Sequence, residues 1–149
     1  MPVMGFMKFE RLFRAAAEVR VDRDDIKSYL DFVDGAVYDL LVVGKAAAKA
    51  NARDVIEPSD LPVTKGLQES VHEFQRLDEE IELRPLLETL AARPPLDITL
   101  SEATEIRLPL LYGGITVALA KTFKILDAEL KTVHKREWER SFTLFRLLI

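Results

Sequence analysis

The chain has few of the residues on which enzymes and metal centres rely. It contains no cysteine, which excludes disulfides and thiolate metal sites, and its two histidines, His72 and His134, have no carboxylate partners at metal-ligand spacing. No glycine-rich phosphate loop, nucleophile elbow or Ser-His-Asp arrangement can be assembled from the remaining residues. We therefore expect neither an enzyme nor a protein with a bound metal or cofactor.

Long apolar runs are also missing. No stretch approaches the roughly 20 apolar residues that a transmembrane helix needs, and the N-terminal residues alternate apolar and charged types too early for a signal peptide. Apolar residues nevertheless make up 48% of the 149-residue chain, enough for one domain or for two small units that share a core. We expect a cytoplasmic protein that does not contact a membrane.

The charge is unevenly distributed. The net charge of −4 argues against a general nucleic-acid coat, because neutralising phosphates needs an excess of lysine and arginine. Between Lys121 and Arg146, however, seven basic residues stand against four acidic ones, whereas acidic residues dominate between Asp22 and Asp60. Local charge must therefore decide whether the protein can bind nucleic acid.

The first half has a helical pattern of short and long segments. Apolar residues recur at steps of three and four from Ile26 to Leu41, after Asp22 as a natural N-cap. The pattern predicts a short helix (6–17), a loop (18–22), a long helix (24–50) and a second loop (51–57). A third helical piece is expected to start at Asp60 and to be interrupted by Gly66, so that the first unit spans residues 1–66.

The second half repeats this plan at a shift of 77 positions, by pattern rather than by identity. We expect residues 67–82 to form a linker with a helix at 67–77, and residues 83–149 to form the second unit. Its short helix (84–92) should stop before Pro94 and Pro95, followed by a long helix (101–130) and a final helix (135–148). Pro109 should kink or weaken the long helix, and Gly113-Gly114 allows close helix approach there. The expectation is one all-α domain of two interlocked units, with a generic helical bundle as the alternative.

The segment from Arg11 to Ile56 resembles an archaeal-type histone, and the most specific element is Arg53 followed by Asp60 seven residues later. In histones this pair is a salt bridge that clamps loop 2 to the third helix. An arginine–carboxylate fork has the directed hydrogen bonds for that task, although a chance exposed pair of little energetic value is the alternative. In the second half Leu130 and Glu137 take these places, so Trp138 is expected to hold that loop instead.

The whole chain resembles a small bacterial family of single-chain histone-fold pairs. The resemblance implies an all-α fold in which two histone-fold units form an intramolecular pseudo-dimer, with loop 1 of one unit beside loop 2 of the other. It also implies phosphate contacts from these loops and from the first helix. The matching residues are Arg11 and Arg14 on the first helix, Arg20 in loop 1, and Lys131 and Thr132 in the second unit's loop 2, with Lys135 and Arg136 close by as further candidates for DNA contacts.

The two ends of such a pair would differ. Arg20 would face Lys131 and Thr132, whereas at the other end Asp97 would face Asp54, with Glu57 close by, and repel a phosphate. About five neutralised charges would give a slope near −4 to −5 in log affinity against log salt. This arrangement predicts weak, sequence-independent binding to double-stranded DNA in the cytoplasm or nucleoid.

A histone-fold interaction or assembly module that does not contact DNA is the other hypothesis. The acidic end would then suit a basic protein partner. The C-terminal run from Phe142 to Ile149 is more apolar than a terminal helix needs, which indicates either burial against the partner unit or a homodimer contact.

Overall fold

The structure is a computed structural model that describes residues 3–91 and 97–148. Within these ranges the chain is predominantly helical, as expected, with one small parallel sheet. The helices are α1 (Val3–Ala17), α2 (Ile26–Ala50), α3 (Lys65–Ile81), α4 (Arg84–Ala91), α5 (Glu102–Leu126) and α6 (Lys135–Leu148). The strands are β1 (Val55–Ile56) and β2 (Thr99–Leu100), and 3-10 turns cover Arg23–Asp25 and Pro58–Asp60.

The two long helices, α2 and α5, match the prediction apart from their ends. Asp22 accepts a hydrogen bond from the Asp24 backbone N–H (3.0 Å), which starts the 3-10 turn that leads into α2. Helix α5 continues through Pro109 and ends at Leu126, four residues before the predicted end at Leu130. There the Asp127 carboxylate accepts from the Glu129 N–H (3.0 Å) and turns the chain. Helix α4 ends at Ala91, and the predicted stop at Pro94 and Pro95 lies outside the described residues.

The predicted third helical piece and the linker helix are both wrong in detail. Only a 3-10 turn forms at Pro58–Asp60, and Gly66 lies inside the first turn of α3 instead of interrupting a helix. The reason is Thr64, whose hydroxyl accepts from the Leu67 N–H (3.1 Å) and caps a helix that begins at Lys65. The capped helix runs to Ile81, four residues beyond the predicted end at Leu77.

Helix α3 belongs to the core and is more than a linker. Its buried face is formed by Leu67, Val71, Phe74 and Ile81, and it packs along α5. The contact is close because two glycines of α5 face it: a Cβ built on Gly113 would lie 2.3 Å from the Phe74 ring, and one on Gly114 would lie 2.6 Å from Val71 Cγ2. The predicted close approach at Gly113-Gly114 is therefore present, with α3 as the approaching helix.

The end of α3 is also tied to the next helix. A charged run such as Asp78 to Glu82 is most simply a solvated turn. Instead, Asp78 is half-buried and its carboxylate accepts from the N–H groups of Leu83 (2.7 Å) and Arg84 (3.3 Å) at the start of α4. Burial raises the pKa of Asp78, against the lowering effect of these hydrogen bonds. Glu82 takes the left-handed conformation (φ 56°) that lets the chain reverse.

The centre of the core is an aromatic cluster drawn from both halves. Phe13 of α1 and Tyr29 of α2 meet Phe123 of α5 and Trp138 of α6, with ring centroids 5.0 Å apart for Phe123–Trp138 and 5.6 Å for Phe13–Trp138. The Tyr29 hydroxyl is hydrogen-bonded to Thr116, which donates to the Tyr112 carbonyl (2.8 Å). The two halves therefore share one core.

Helix α5 is the helix in the described ranges that could cross a membrane by length and composition alone. In its most apolar window, 72% of the residues are buried inside the protein. The central helix of a core has these same properties, which here follow from the packing of α5 against α1, α3 and α4.

The loops of one half pair with the loops of the other, at opposite ends of the molecule. At one end β1 and β2 are parallel, with Val55 opposite Thr99 and Ile56 opposite Leu100. At the other end a parallel bridge joins Arg20 to Thr132. Each end therefore combines the loop before a long helix of one half with the loop after a long helix of the other half.

Candidate functional site

The bridge at the first end fixes the backbone of two predicted DNA-contact segments against each other. The Arg20 N–H donates to the Lys131 carbonyl (2.8 Å), and the Val133 N–H donates to the Arg20 carbonyl (2.8 Å). Because backbone bonds set this pairing, the Arg20 and Lys131 side chains start from neighbouring positions whatever their rotamers. The structure thus brings together Arg20, Lys131 and Thr132 as the sequence predicted.

The apolar neighbours of these residues direct their side chains outward. Val19 and Val21 on either side of Arg20 are buried, and so are Leu130 and Val133 around Lys131 and Thr132. The polar side chains between them are exposed. Within the described part of the chain, the structure records no hydrogen-bond or ion-pair partner for the side chains of Arg20, Lys131 or Thr132.

Lys135 and Arg136 extend this exposed group along the first turn of α6. Lys135 makes only a long contact to Glu139 (3.9 Å), and both are largely exposed. The Glu137 carboxylate accepts a hydrogen bond from the His134 N–H (3.1 Å) and so caps the N-terminus of α6. A helix N-terminus favours a nearby anion through its free N–H groups and its dipole. We call Arg20, Lys131, Thr132, Lys135 and Arg136 the basic loop site.

Arg11 and Arg14 lie on the exposed side of α1. They line a shallow cavity of about 420 Å³ together with Arg76, Leu77 and Glu80 of α3, and no residue of the basic loop site lines it. Arg14 is also paired with Glu10 (Nη2–Oε1 3.0 Å). This cavity therefore brings the two arginines beside α3. Sequence reasoning missed Arg76, because nothing in the sequence places α3 beside α1.

The pairing of Arg53 with Asp60 is present as a bidentate fork. Arg53 Nη1 lies 2.7 Å from Asp60 Oδ2, and Nη2 lies 2.7 Å from Oδ1. Arg53 Nη1 also donates to the Val55 carbonyl (3.2 Å), and the Glu57 N–H donates to Asp60 Oδ2 (2.8 Å). The arginine and this N–H lower the pKa of Asp60 to about 2. The fork therefore fixes the exit of the chain from α2 and the position of β1.

The second half has no such fork among its described residues. Leu130 is buried, Glu137 caps α6, and Trp138 is buried against Phe13 and Phe123. The loop after α5 is therefore held by an apolar anchor and by the Arg20 bridge, in line with the expectation for Trp138.

The opposite end is less acidic than expected. Asp54 and Asp97 do lie there, but Lys45, Lys49 and Arg53 line the same pocket of about 270 Å³. Lys45 Nζ is 3.0 Å from Asp97 Oδ2, and this hydrogen bond is the largest cause of the lowered pKa of Asp97. The prediction of a purely acidic, phosphate-repelling end is corrected by this ion pair. A signal was available in the sequence, since Lys45 and Lys49 are four residues apart and share a face of the long helix.

In the ranges 3–91 and 97–148, no three histidine, aspartate or glutamate side chains come together in a way that could hold a metal ion.

Comparisons with known proteins give relatives of the whole chain. A crystal structure of a Thermus thermophilus protein, ttk003001566, is 46% identical, with a TM-score of 0.86 over 96% of this chain and 97% of that one. The structure of protein AQ328 from Aquifex aeolicus is 25% identical, with a TM-score of 0.83 over 97% and 95% of the two chains. An uncharacterized protein of Aquifex aeolicus (strain VF5) is 28% identical over 127 residues, which cover 85% of this chain and 74% of that protein. A family described as a domain of unknown function, DUF1931, matches residues 9–146, and the chain therefore belongs to the DUF1931 family.

Proposed function

We propose that the chain is an intramolecular pair of histone-fold units that binds double-stranded DNA weakly and without sequence preference. Three features support the fold assignment: a short and a long helix in each half, parallel pairing between loops of opposite halves at both ends, and the Arg53–Asp60 fork. In the first unit the 3-10 turn at Pro58–Asp60 takes the place of the third helix, and α3 follows it.

The observation that carries the DNA proposal is the bridge between Arg20 and Thr132. It places cationic side chains from two loops side by side and exposed, next to the N-terminus of α6. A DNA phosphate can accept hydrogen bonds from such cations and from the Thr132 hydroxyl at the same time. Contacts of this kind position a protein on the duplex and carry no base information, so the binding is independent of sequence.

The number of cations in the basic loop site sets the expected strength of binding. The site supplies four, Arg20, Lys131, Lys135 and Arg136, and Arg11 and Arg14 of α1 are not counted among them. A full phosphate contact by each predicts a slope of about −3.6 in log affinity against log salt, at about −0.9 per phosphate. A site of this size releases few counterions, so binding is weak at physiological salt.

The test is a fluorescence anisotropy titration with a generic duplex at low and moderate salt. Lys131→Glu is expected to abolish binding, because it places a carboxylate where two loops meet. Lys65→Glu is the matched control: it makes the same charge change at a lysine of α3 that is 93% exposed and outside the site, and it should leave binding nearly unchanged. Asp54→Ala at the opposite end should bind equally or more strongly. The proposal is wrong if the wild-type chain does not bind at low salt, or if both charge reversals weaken binding equally.

A protein-assembly role is the second candidate, favoured by the apolar end of α6. Leu147 and Leu148 are 78% and 76% exposed, although the same helix buries Trp138 and Phe142. Exposed leucines at the end of an otherwise amphipathic helix are suited to a contact between copies of the chain. The two candidates are compatible, since the basic loop site lies at the start of α6 and these leucines at its end.

A further inference from the structure

The pocket at the opposite end has the composition of an anion site. Lys45 and Lys49 reach it from the last turns of α2, Arg53 and Asp54 from the loop after α2, and Asp97 and Thr99 from the second half. We call it the Lys45 pocket. It is built from both halves, as the basic loop site is, and it lies next to the β1–β2 pairing.

Two of its three cations, Lys45 and Lys49, lie outside the Arg53–Asp60 fork and can pair with a carboxylate of the pocket or with an anion from outside the protein. Arg53 is held in the fork by both oxygens of Asp60 and by the Val55 carbonyl. Lys45 is partly enclosed, with 31% of its side chain exposed, and Lys49 lies one helical turn further along α2. The binding capacity of the pocket therefore rests on Lys45 and Lys49.

The Asp97 carboxylate already forms an ion pair with Lys45. Its carboxylate oxygen is 3.0 Å from Lys45 Nζ, and 73% of the Asp97 side chain is exposed. Lys49 adds a smaller favourable charge interaction with the same carboxylate. The carboxylate therefore contacts the more enclosed lysine from the solvent side, which is the direction from which an external anion would approach.

We propose that the Lys45 pocket is a second phosphate-binding site whose ligand position is filled by the Asp97 carboxylate. A carboxylate and a phosphate both accept charge-assisted hydrogen bonds from an ammonium group, so each can take the place of the other. This inference rests on the proposed function, in which the phosphate belongs to a DNA backbone. It gives a reason why the proposed DNA binding is confined to one end. At the other end the ammonium group of Lys45 is paired with the Asp97 carboxylate of the same chain.

The charge balance sets the size of the expected effect. Apart from the paired Arg53 and Asp60, Lys45 and Lys49 stand against Asp54, Asp97 and Glu57, which lies near Arg53, so Asp97→Asn makes this end one unit more positive and removes the carboxylate from Lys45. One additional phosphate contact steepens the salt slope by about 0.9 and strengthens binding about tenfold at low salt. Because the pair is exposed on the Asp97 side, its loss should leave the fold intact.

The experiment compares variants by anisotropy with a duplex of about 20 base pairs at about 50 and 200 mM salt, a range over which phosphate contacts weaken strongly. Asp97→Asn should bind more tightly with a steeper slope, and adding Lys45→Gln should cancel the gain. Asp31→Asn is the matched control, since it also frees a lysine from a 3.0 Å pair, Lys27 on the surface of α2, but outside the Lys45 pocket. An unchanged affinity for Asp97→Asn, or an equal gain for Asp31→Asn, would overturn the proposal.

A second series separates this inference from the proposed function. Asp97→Asn is combined with Lys131→Glu, which disables the basic loop site. If this double variant binds DNA, and adding Lys45→Gln removes that binding, the second site is supported. This holds even if the wild-type protein fails to bind and the proposed function is wrong. If the double variant does not bind and Asp97→Asn alone binds with wild-type affinity, the Lys45 pocket is not a phosphate site. That result does not bear on the basic loop site.

The source of the phosphate is tested by NMR on Asp97→Asn. Inorganic phosphate at millimolar concentration and the duplex are added separately, and the amide shifts of Val55 and Thr99 are followed. Shifts with inorganic phosphate support a site for free phosphate groups, and shifts with duplex alone support a site for the DNA backbone. No shift with either overturns the assignment of the pocket as a phosphate site.

Discussion

The contact between α3 and α5 gives the sharpest prediction about the fold. Replacing Gly113 with alanine places a methyl group 2.3 Å from the Phe74 ring, where ordinary contacts begin near 3.4 Å. The Phe74 ring is fully buried, and the atoms nearest to the new methyl group include its Cγ, which a rotation of the ring does not move away. The two helices must therefore separate by about 1 Å or more along their contact.

The expected cost follows from two opposing effects. Overpacking of this kind costs about 1–3 kcal/mol and sometimes more, and the rigid ring places this site at the upper end. Alanine is favoured over glycine inside a helix by about 1 kcal/mol, which offsets part of the cost. We expect a net destabilisation of about 2 kcal/mol, which lowers Tm by roughly 4–8 °C for a chain of this size.

The assay is urea unfolding followed by the fluorescence of Trp138, the one tryptophan of the chain. Gly35→Ala is the matched control, because Gly35 lies in α2 with no atom within 4 Å of a built Cβ, and it should gain about 0.5–1 kcal/mol. Phe74→Leu in the Gly113→Ala background should recover part of the loss, with a coupling of about 0.5–3 kcal/mol in the double-mutant cycle. If Gly113→Ala is as stable as Gly35→Ala, the close approach of α3 to α5 is refuted.

Two further predictions concern the Arg53–Asp60 fork and the end of α6. Because the folded pKa of Asp60 is about 2, below its ordinary value of 3.8, the fork's stabilisation is full above that ordinary value and is lost as pH falls towards 2. Asp60→Asn should thus be less stable than wild type near neutral pH, and urea titrations at falling pH should show this gap closing; a constant gap would contradict the assignment. Replacing both Leu147 and Leu148 with glutamate should abolish self-association in sedimentation equilibrium if α6 joins copies of the chain, and a wild-type chain that stays monomeric at high concentration argues against assembly there.

Much of the helical plan could be predicted because its signals are local. The helical period from Ile26 to Leu41 and the Asp22 cap are readable from neighbouring residues, and they specify α2 almost to its ends. The pairing of Arg20 with the Lys131–Thr132 loop is a long-range contact, yet it too was predicted, because the resemblance supplied the relation between the two halves.

The errors lie where the outcome depends on tertiary contacts or on caps that compete. Gly66 suggested a break, but the Thr64 cap four residues after Asp60 started a new helix through it. The Asp78 carboxylate could have been solvated, and only the reversal at Glu82 brings it to the N–H groups of Leu83 and Arg84. Composition alone could not show which cap would form or whether the Asp78 carboxylate would be buried.

The candidate site shows the same limit. The exposed positions of Arg20 and Lys131 follow from the buried valines and leucine beside them, which the sequence displays. The ion pair of Asp97 with Lys45 joins residues 52 positions apart, so the Lys45–Lys49 spacing could show a basic helix face but not the carboxylate that meets it. Charge counted by segment therefore predicted an acidic end where lysines of α2 share the pocket.

The crossed loop pairing has a consequence for how the protein is made. Arg20 forms its backbone bridge with residues 131–133, so the ribosome must add about 112 further residues before that partner exists. At about 5–20 residues per second this takes roughly 6–22 s. During that time the first half must wait with its apolar faces uncovered, exposed to chaperones and proteases. Because both loops belong to one chain, this bridge needs no second molecule, but it can form only after a delay within the chain's own synthesis.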